Sequence, residues 1–258
     1  GSCTLNLGQR FFVAETCEYQ RHFMAFHPSK IILTSVESDH QDYFPTFEDI
    51  QKAFVDYTLL LPQGGDLIYC ADDKGAVETV DIICSKRPDI NLIPYGTTAS
   101  GDYRIIFGPI SNGVQYFRLK GFLDKFSITV PGKHTVRNTA AAIALAIQLY
   151  KENNSLPQNQ SVSTIPESVL EAIREGVTSF KGSRRRCEII GEKEGVLVLD
   201  DYGHHPTAVK TTLEGIRDFY SDRVIIVDFM SHTYTRTAAL LEEFAESVSY
   251  ADYTILNK

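Results

Sequence analysis

Short apolar runs separated by segments of helical period constrain this chain more than any other feature. Lys30 to Val36, Asp66 to Ala71 and Asn91 to Tyr95 read as strands. Between them, Phe47 to Leu61 carries Phe47, Ile50, Phe54, Tyr57, Thr58 and Leu61 at helical spacing, and Ala76 to Ser85 repeats that spacing. Strands joined through helices need crossover connections, so the class is α/β with a largely parallel sheet. In such a sheet ligands gather at the carboxyl ends of the strands. Arg10 to Glu15 is a further strand candidate and Glu18 to Phe26 a helical one.

The pattern then changes twice. Tyr103 to Phe107, Val114 to Leu119 and Phe126 to Val130 are short strands between Gly, Pro and Asn turns, which predicts an antiparallel appendage. An alanine-rich helix follows over Thr135 to Tyr150, then a polar connection over Lys151 to Thr164 and a helix over Ile165 to Phe180. After the basic turn Lys181 to Arg186 the strand-helix alternation restarts. Its parts are Cys187 to Ile190, Val196 to Leu199, a helix over His205 to Tyr220, Arg223 to Phe229, a helix over Ala238 to Ser249, and Tyr253 to Leu256. Two units are expected, residues 1–180 and residues 181–258.

The chain's 258 residues, 43% hydrophobic, suffice for one large or two ordinary cores. A formal charge of -8 argues against nucleic acid or an anionic membrane surface as partner. Cys3, Cys17, Cys70, Cys84 and Cys187 are scattered without a C-x-x-C pair, which favours reduced thiols over disulfides or zinc. No apolar run has the length of a bilayer span and no leader pattern opens the sequence, so a cytoplasmic location without membrane insertion is expected.

Chemistry concentrates in a few places. Asp200-Asp201-Tyr202-Gly203-His204-His205-Pro206 begins where the apolar run Val196 to Leu199 stops. By itself it reads equally as a site or as a solvated strand-to-helix turn. Glu15 and His40 each follow a strand candidate, and a carboxylate with an imidazole there can hold Mg²⁺ against phosphate oxygens. A polar capped loop explains the same residues. Gly132 to Asn138 opens the alanine-rich helix, where a glycine and a helix start can approach an anion and Asn138 can match a purine edge. Arg184-Arg185-Arg186 offers guanidinium forks to a phosphate. His232 to Thr237 follows another apolar strand, and its Arg236 can pair with a carboxylate. No G-x-S-x-G, G-x-G-x-x-G or G-x-x-x-x-G-K-[ST] motif occurs.

In this order, the segments resemble the Mur ligases, ATP-dependent amide-forming enzymes of peptidoglycan biosynthesis. The resemblance runs through Phe11 to Glu15, Ser38 to Tyr43, Pro131 to His134, Phe180 to Gly182 with Arg185-Arg186, Asp200 to Pro206, His232 to Thr237 and Leu240 to Ala245. Its D-D-Y-G-H-H-P and H-x-Y-x-R-T segments favour the alanine-adding branch. The resemblance implies a central ATP-binding domain followed by part of a Rossmann-like C-terminal domain. It implies ATP and Mg²⁺ as cofactors, and UDP-N-acetylmuramate and L-alanine as substrates. It places Glu15 and His40 at the metal, and His134 and Asn138 at adenine. Asp201 falls at the ribose, Tyr202 near the nucleotide and Arg186 at phosphate. His204 falls near the muramoyl group, with His232 and Arg236 near the carboxylates.

The sequence departs from that family at Thr34-Ser35 and His134-Thr135, which removes amides expected around the nucleotide, at Thr16-Cys17-Glu18-Tyr19, where an acid-rich stretch is usual, and at Met230-Ser231, where Gln-Pro sets the loop. The family's N-terminal UDP-binding domain and its phosphate loop have no counterpart in these residues, so this chain alone is not expected to catalyse the reaction. A non-catalytic nucleotide-binding or interaction module of the same ancestry, and a related Mur or folate-type ligase with another substrate, are the competing readings.

Overall fold

The computed structural model describes residues 10–231 and 234–257. Strands β1 (Lys30–Leu33), β2 (Asp66–Cys70) and β3 (Asn91–Tyr95) form a parallel sheet in that order, with Lys30 level with Asp66 and Asp66 level with Asn91. Helices α1 (Phe47–Thr58) and α2 (Lys74–Lys86) are the crossovers. Side chains alternate across a strand, so Ile31, Leu33 and Leu67 enter one core with Ile50, Ala53 and Val80, while Ile68, Cys70 and Tyr95 enter a second. That second core is closed by β4 (Ile105–Ser111), β5 (Val114–Leu119) and β6 (Phe126–Ile128), by α3 (Lys133–Asn153) and by α4 (Glu167–Ser179).

Local chemistry fixes the helix ends. Thr46 and Asp49 form a reciprocal capping box at α1, and Asp73 caps α2 through the Ala76 amide. Past the end of α1, Arg87 donates to the carbonyls of Leu59, Leu61 and Pro62. The predicted antiparallel appendage is β4-β5-β6, whose β4–β5 hairpin turns on Asn112 and Gly113, both at positive φ.

The second part contains β7 (Glu188–Lys193), β8 (Val196–Asp200), α5 (Pro206–Phe219), β9 (Ile226–Met230), α6 (Tyr234–Ala239), α7 (Leu241–Val248) and β10 (Tyr253–Asn257). A third core gathers Val209, Leu213, Ile225 and Phe244. β9 and β10 are parallel, as alternation predicts.

Several expectations need correction. Arg10 to Glu15 is not a strand: Phe11, Phe12 and Val13 are 51%, 77% and 74% exposed, and the segment joins no ladder. Apolar content cannot supply the N–H and C=O groups of a neighbouring strand, and among the described residues β1 pairs only with β2. The helical stretch after it is a 3-10 segment, Tyr19–Ala25, broken at Gln20 and Arg21 by positive φ. β7 and β8 form an antiparallel hairpin on Glu194-Gly195, both at positive φ, so the alternation resumes only after β8. The single helix expected over Ala238 to Ser249 is two, α6 and α7, separated at Leu240.

The two parts meet where α5 crosses the Pro131-Gly132 turn. A Cβ on Gly215 would lie 2.5 Å from the Gly132 Cα, a backbone atom that cannot swing away. Gly215→Ala is therefore expected to destabilise the protein by about 1–3 kcal/mol, the usual cost of overpacking. Denaturant unfolding measures it.

Candidate functional site

The site lies at the carboxyl ends of β2 and β3 and at the start of α3. Asp72, just past β2, accepts from the Thr97 and Thr98 amides, from both threonine hydroxyls and from Arg137 Nε at 2.9 Å. Burial would raise the Asp72 pKa, but those amides, the guanidinium and the hydroxyl hydrogen bond outweigh it and hold the carboxyl far below its usual range. Gly96 at φ 129 makes this possible, since a Cβ there would sit 2.8 Å from Asp72 Oδ1. Asp73 accepts from the Val36 and Ala76 amides, tying the exit of β1 to α2.

At the start of α3, Gly132 has φ 103 and the His134 ring folds back over it, within 2.4 Å of where a Cβ would be. Burial pushes the His134 pKa down; Asp201 opposes that, and Arg137 and Arg186 reinforce it. That balance favours the neutral imidazole, and its buried Nδ1 has no hydrogen-bond partner among the described residues. Asn138, one turn on, is exposed to the same cleft.

The basic turn and the β8 exit form the facing wall. Arg185 and Cys187 both take positive φ. Arg185 lies over the Tyr202 ring at 4.8 Å and beside Asp200 at 3.3 Å, while Arg186 lines the cleft. Asp201 accepts from the Cys187 amide through Oδ2 at 2.8 Å and from the Gly203 amide through Oδ1 at 2.7 Å. A carboxylate has about four lone-pair sites, so acceptor capacity remains. Tyr202 and His204 pack edge to face at 5.2 Å, and His204 Nδ1 is 3.1 Å from the Tyr202 carbonyl. Burial lowers the His204 pKa; the Tyr202 carbonyl and Asp39 oppose this, whereas Arg236 and Arg186 add to it.

On the β1 side, His40 takes φ 54, stacks on Tyr19 at 4.6 Å and pairs through Nε2 with Glu18 Oε1 at 3.2 Å. The sequence pairs His40 with Glu15 instead. Glu15 is exposed and enters no hydrogen bond or ion pair among the described residues, although it lines the cleft. No group of three or more His, Cys, Asp or Glu side chains among the described residues forms a metal centre. Mg²⁺ takes one or two carboxylates while phosphate and water complete its shell, so a glutamate beside His40 fits that chemistry, whereas the imidazole is an unusual ligand for so hard a cation.

One cleft of about 1760 Å³ is thus lined by Glu15, His134, Asn138, Arg186 and Asp201. His40, Tyr202, His204 and Arg236 stand outside its lining; Arg236 pairs with Asp39, and both act electrostatically on His204. His232 lies outside the described residues. Sequence reasoning missed Asp72, Arg137, Glu18, Glu37 and Asp39 as organising groups. A signal existed for Asp72: Leu67 to Ala71 ends in Asp72-Asp73 just as Val196 to Leu199 ends in Asp200-Asp201.

With the geometry in view, comparison with known families is decisive. The Mur ligase middle domain matches residues 4–146, and the Mur ligase, glutamate ligase domain matches residues 185–258. The chain belongs to the Mur ligase family. This Mur ligase chain is 48% identical over 257 residues to the UDP-N-acetylmuramate--L-alanine ligase of Treponema pallidum (strain Nichols), covering 100% of itself and 52% of that relative. Against the enzyme of the same name from Borreliella burgdorferi it is 37% identical, covering 95% of itself and 50% of the relative. The chain therefore spans about half the length of the curated relatives it matches. The Thermotoga maritima UDP-N-acetylmuramate-alanine ligase MurC shares its fold at TM-score 0.61 and 21% identity, over 92% of this chain and 47% of that one. MurF ligase from Thermotoga maritima, solved with ADP, gives 0.68 at 18% identity over 92% and 50%. The α/β class, with a middle domain and a C-terminal domain of this family, is as the sequence predicts.

Proposed function

We propose that this Mur ligase chain is the ATP-facing half of a ligase that joins L-alanine to UDP-N-acetylmuramate, with the unit boundary near Lys181. One observation carries the reading: the start of α3, the basic turn and the Asp200 to Pro206 segment converge on one cleft, as a nucleotide bound between two units requires. The relatives named for that reaction supply the substrates.

A carboxylate is a poor electrophile. In the proposed reaction a lactyl carboxylate oxygen attacks the γ-phosphorus of ATP and ADP leaves. The alanine amine then attacks the acyl-phosphate carbonyl, losing a proton and releasing phosphate. The protein's part is positioning and charge neutralisation. His134, neutral with an orphaned Nδ1, and Asn138 hold the base; Asp201 receives the ribose hydroxyls through its remaining lone pairs; Tyr202 packs near the nucleotide. Arg186 meets phosphate. His204 faces the muramoyl group, and Arg236, with His232, meets the substrate carboxylates. Glu15 or Glu18 with His40 would hold Mg²⁺, which offsets phosphate charge when bound. No described helix is long and apolar enough to cross a membrane, and we place the enzyme in the cytoplasm, where its nucleotide substrates are made.

The C-terminal match bears the description of a glutamate ligase domain, which gives a second reading in which glutamate is the amino acid added. The whole gene product, given ATP, UDP-N-acetylmuramate and either amino acid, decides between them. Amide formation with alanine supports the proposal, and formation with glutamate alone overturns it.

A further inference from the structure

The loop leaving β1 carries two acids, Glu37 and Asp39, on either side of Ser38, and both reach into the second part of the chain. Asp39 Oδ1 accepts from Arg236 Nε at 3.0 Å and Nη2 at 2.7 Å, across 197 positions of sequence. The two side chains are only 19% and 12% exposed. Glu37 Oε2 accepts from the Thr207 hydroxyl at 2.9 Å and lies 3.7 Å from His205 Nδ1, at the start of α5, where a helix N-terminus favours a negative charge. Exposed ion pairs contribute little, but a pair this sheltered escapes most screening by water and salt.

We propose that Glu37 and Asp39 form a two-point clamp that seats the C-terminal unit on the β1 loop, with Asp39 as the positioning residue for Arg236. This deepens the function proposed above, in which Arg236 meets a substrate carboxylate. Asp39 Oδ1 also accepts from the His40 amide at 2.7 Å, so one oxygen links Arg236 to the residue proposed above for Mg²⁺. His40 is held in turn by Tyr19 and Glu18. Release of Arg236 strips a cation from Asp39 and alters the anchor of the His40 backbone. Seating of the C-terminal unit and the setting of His40 are then one event. Neither acid is a catalytic residue; each acts through the group it holds.

Hydrogen exchange on this chain tests the clamp without any substrate. Asp39→Asn and Arg236→Gln are each expected to speed exchange of the α5 and α6 amides about tenfold, with the double variant far short of the product of the two, because the Asp39–Arg236 contact is shared by both. Glu37→Gln speeds exchange at the start of α5 only. Amides of α1 and α2 should stay at wild-type rates, which shows that the variants are folded, and Lys52→Gln, which removes the exposed pair with Asp56, should change nothing. In the whole gene product, Asp39→Asn is expected to raise KM for the substrate bound at Arg236 about tenfold while kcat changes much less, the signature of lost positioning rather than lost chemistry. Exchange within twofold of wild type in Asp39→Asn, or additive effects in the double variant, overturns the clamp. So does a fall in kcat at unchanged KM. Because exchange needs no turnover, a gene product that fails to use alanine refutes the proposed function and leaves the clamp to be judged by exchange.

Discussion

Replacing Asp72 with alanine is expected to lower the unfolding free energy by about 1–3 kcal/mol, the cost of leaving sheltered donors without their acceptor. The carboxylate is 10% exposed and takes five donors from two threonines and Arg137. Removing it leaves the Thr97 and Thr98 amides and the guanidinium without their acceptor. It also unties three elements at once: the end of β2, the loop after β3 and the N-terminal part of α3, which carries His134 and Asn138. The same carboxylate makes stability depend on acid. Its folded pKa lies well below the unfolded value of about 4, so its contribution is fully present above that value and is lost as pH falls through the folded pKa. Denaturant melts at neutral pH and at successively lower pH should show the wild type losing its advantage over Asp72→Ala in the acid range. A difference under about 1 kcal/mol at neutral pH contradicts the role given to this residue.

The second large effect is on turnover. In the whole gene product, His204→Ala and Asp201→Ala are each expected to reduce kcat/KM by about a hundredfold or more, the scale for losing one preorganised polar group at a site of developing charge. They should differ in stability. Asp201→Ala also strips the acceptor from the Cys187 and Gly203 amides, and so lowers the melting temperature. His204 makes one backbone contact, so His204→Ala should melt close to wild type. Wild-type activity in both variants removes these residues from the site.

The sequence made most of the architecture legible because burial is periodic. Leu67 and Ile68 enter opposite cores as adjacent strand residues must, and the helices at α1, α3 and α5 follow apolar spacing. Errors arose where periodicity is blind to partners. Arg10 to Glu15 has a strand's composition but no neighbour to pair with, and Cys187 to Leu199 has two strand patterns whose Glu194-Gly195 turn folds them back on each other. The site was legible where motifs sit at element ends, as with His134, Asn138, Arg186 and Asp201. It was illegible where function depends on pairing across long separations. Nothing local in Glu37-Ser38-Asp39 announces Thr207 or Arg236, and nothing at Asp72 announces Arg137. His40 meeting Glu18 rather than Glu15 follows from a 3-10 turn that composition does not encode.

In the proposed ligase reaction, activation of a carboxylate by phosphorylation leaves one of its oxygens in the released phosphate. Isotope transfer tests it most directly. UDP-N-acetylmuramate labelled with ¹⁸O in the lactyl carboxylate is turned over by the whole gene product with ATP and L-alanine, and the phosphate released is analysed by mass spectrometry. One ¹⁸O atom is expected in each phosphate, with the other retained in the new amide. Phosphate free of ¹⁸O, with amide still formed, would contradict it.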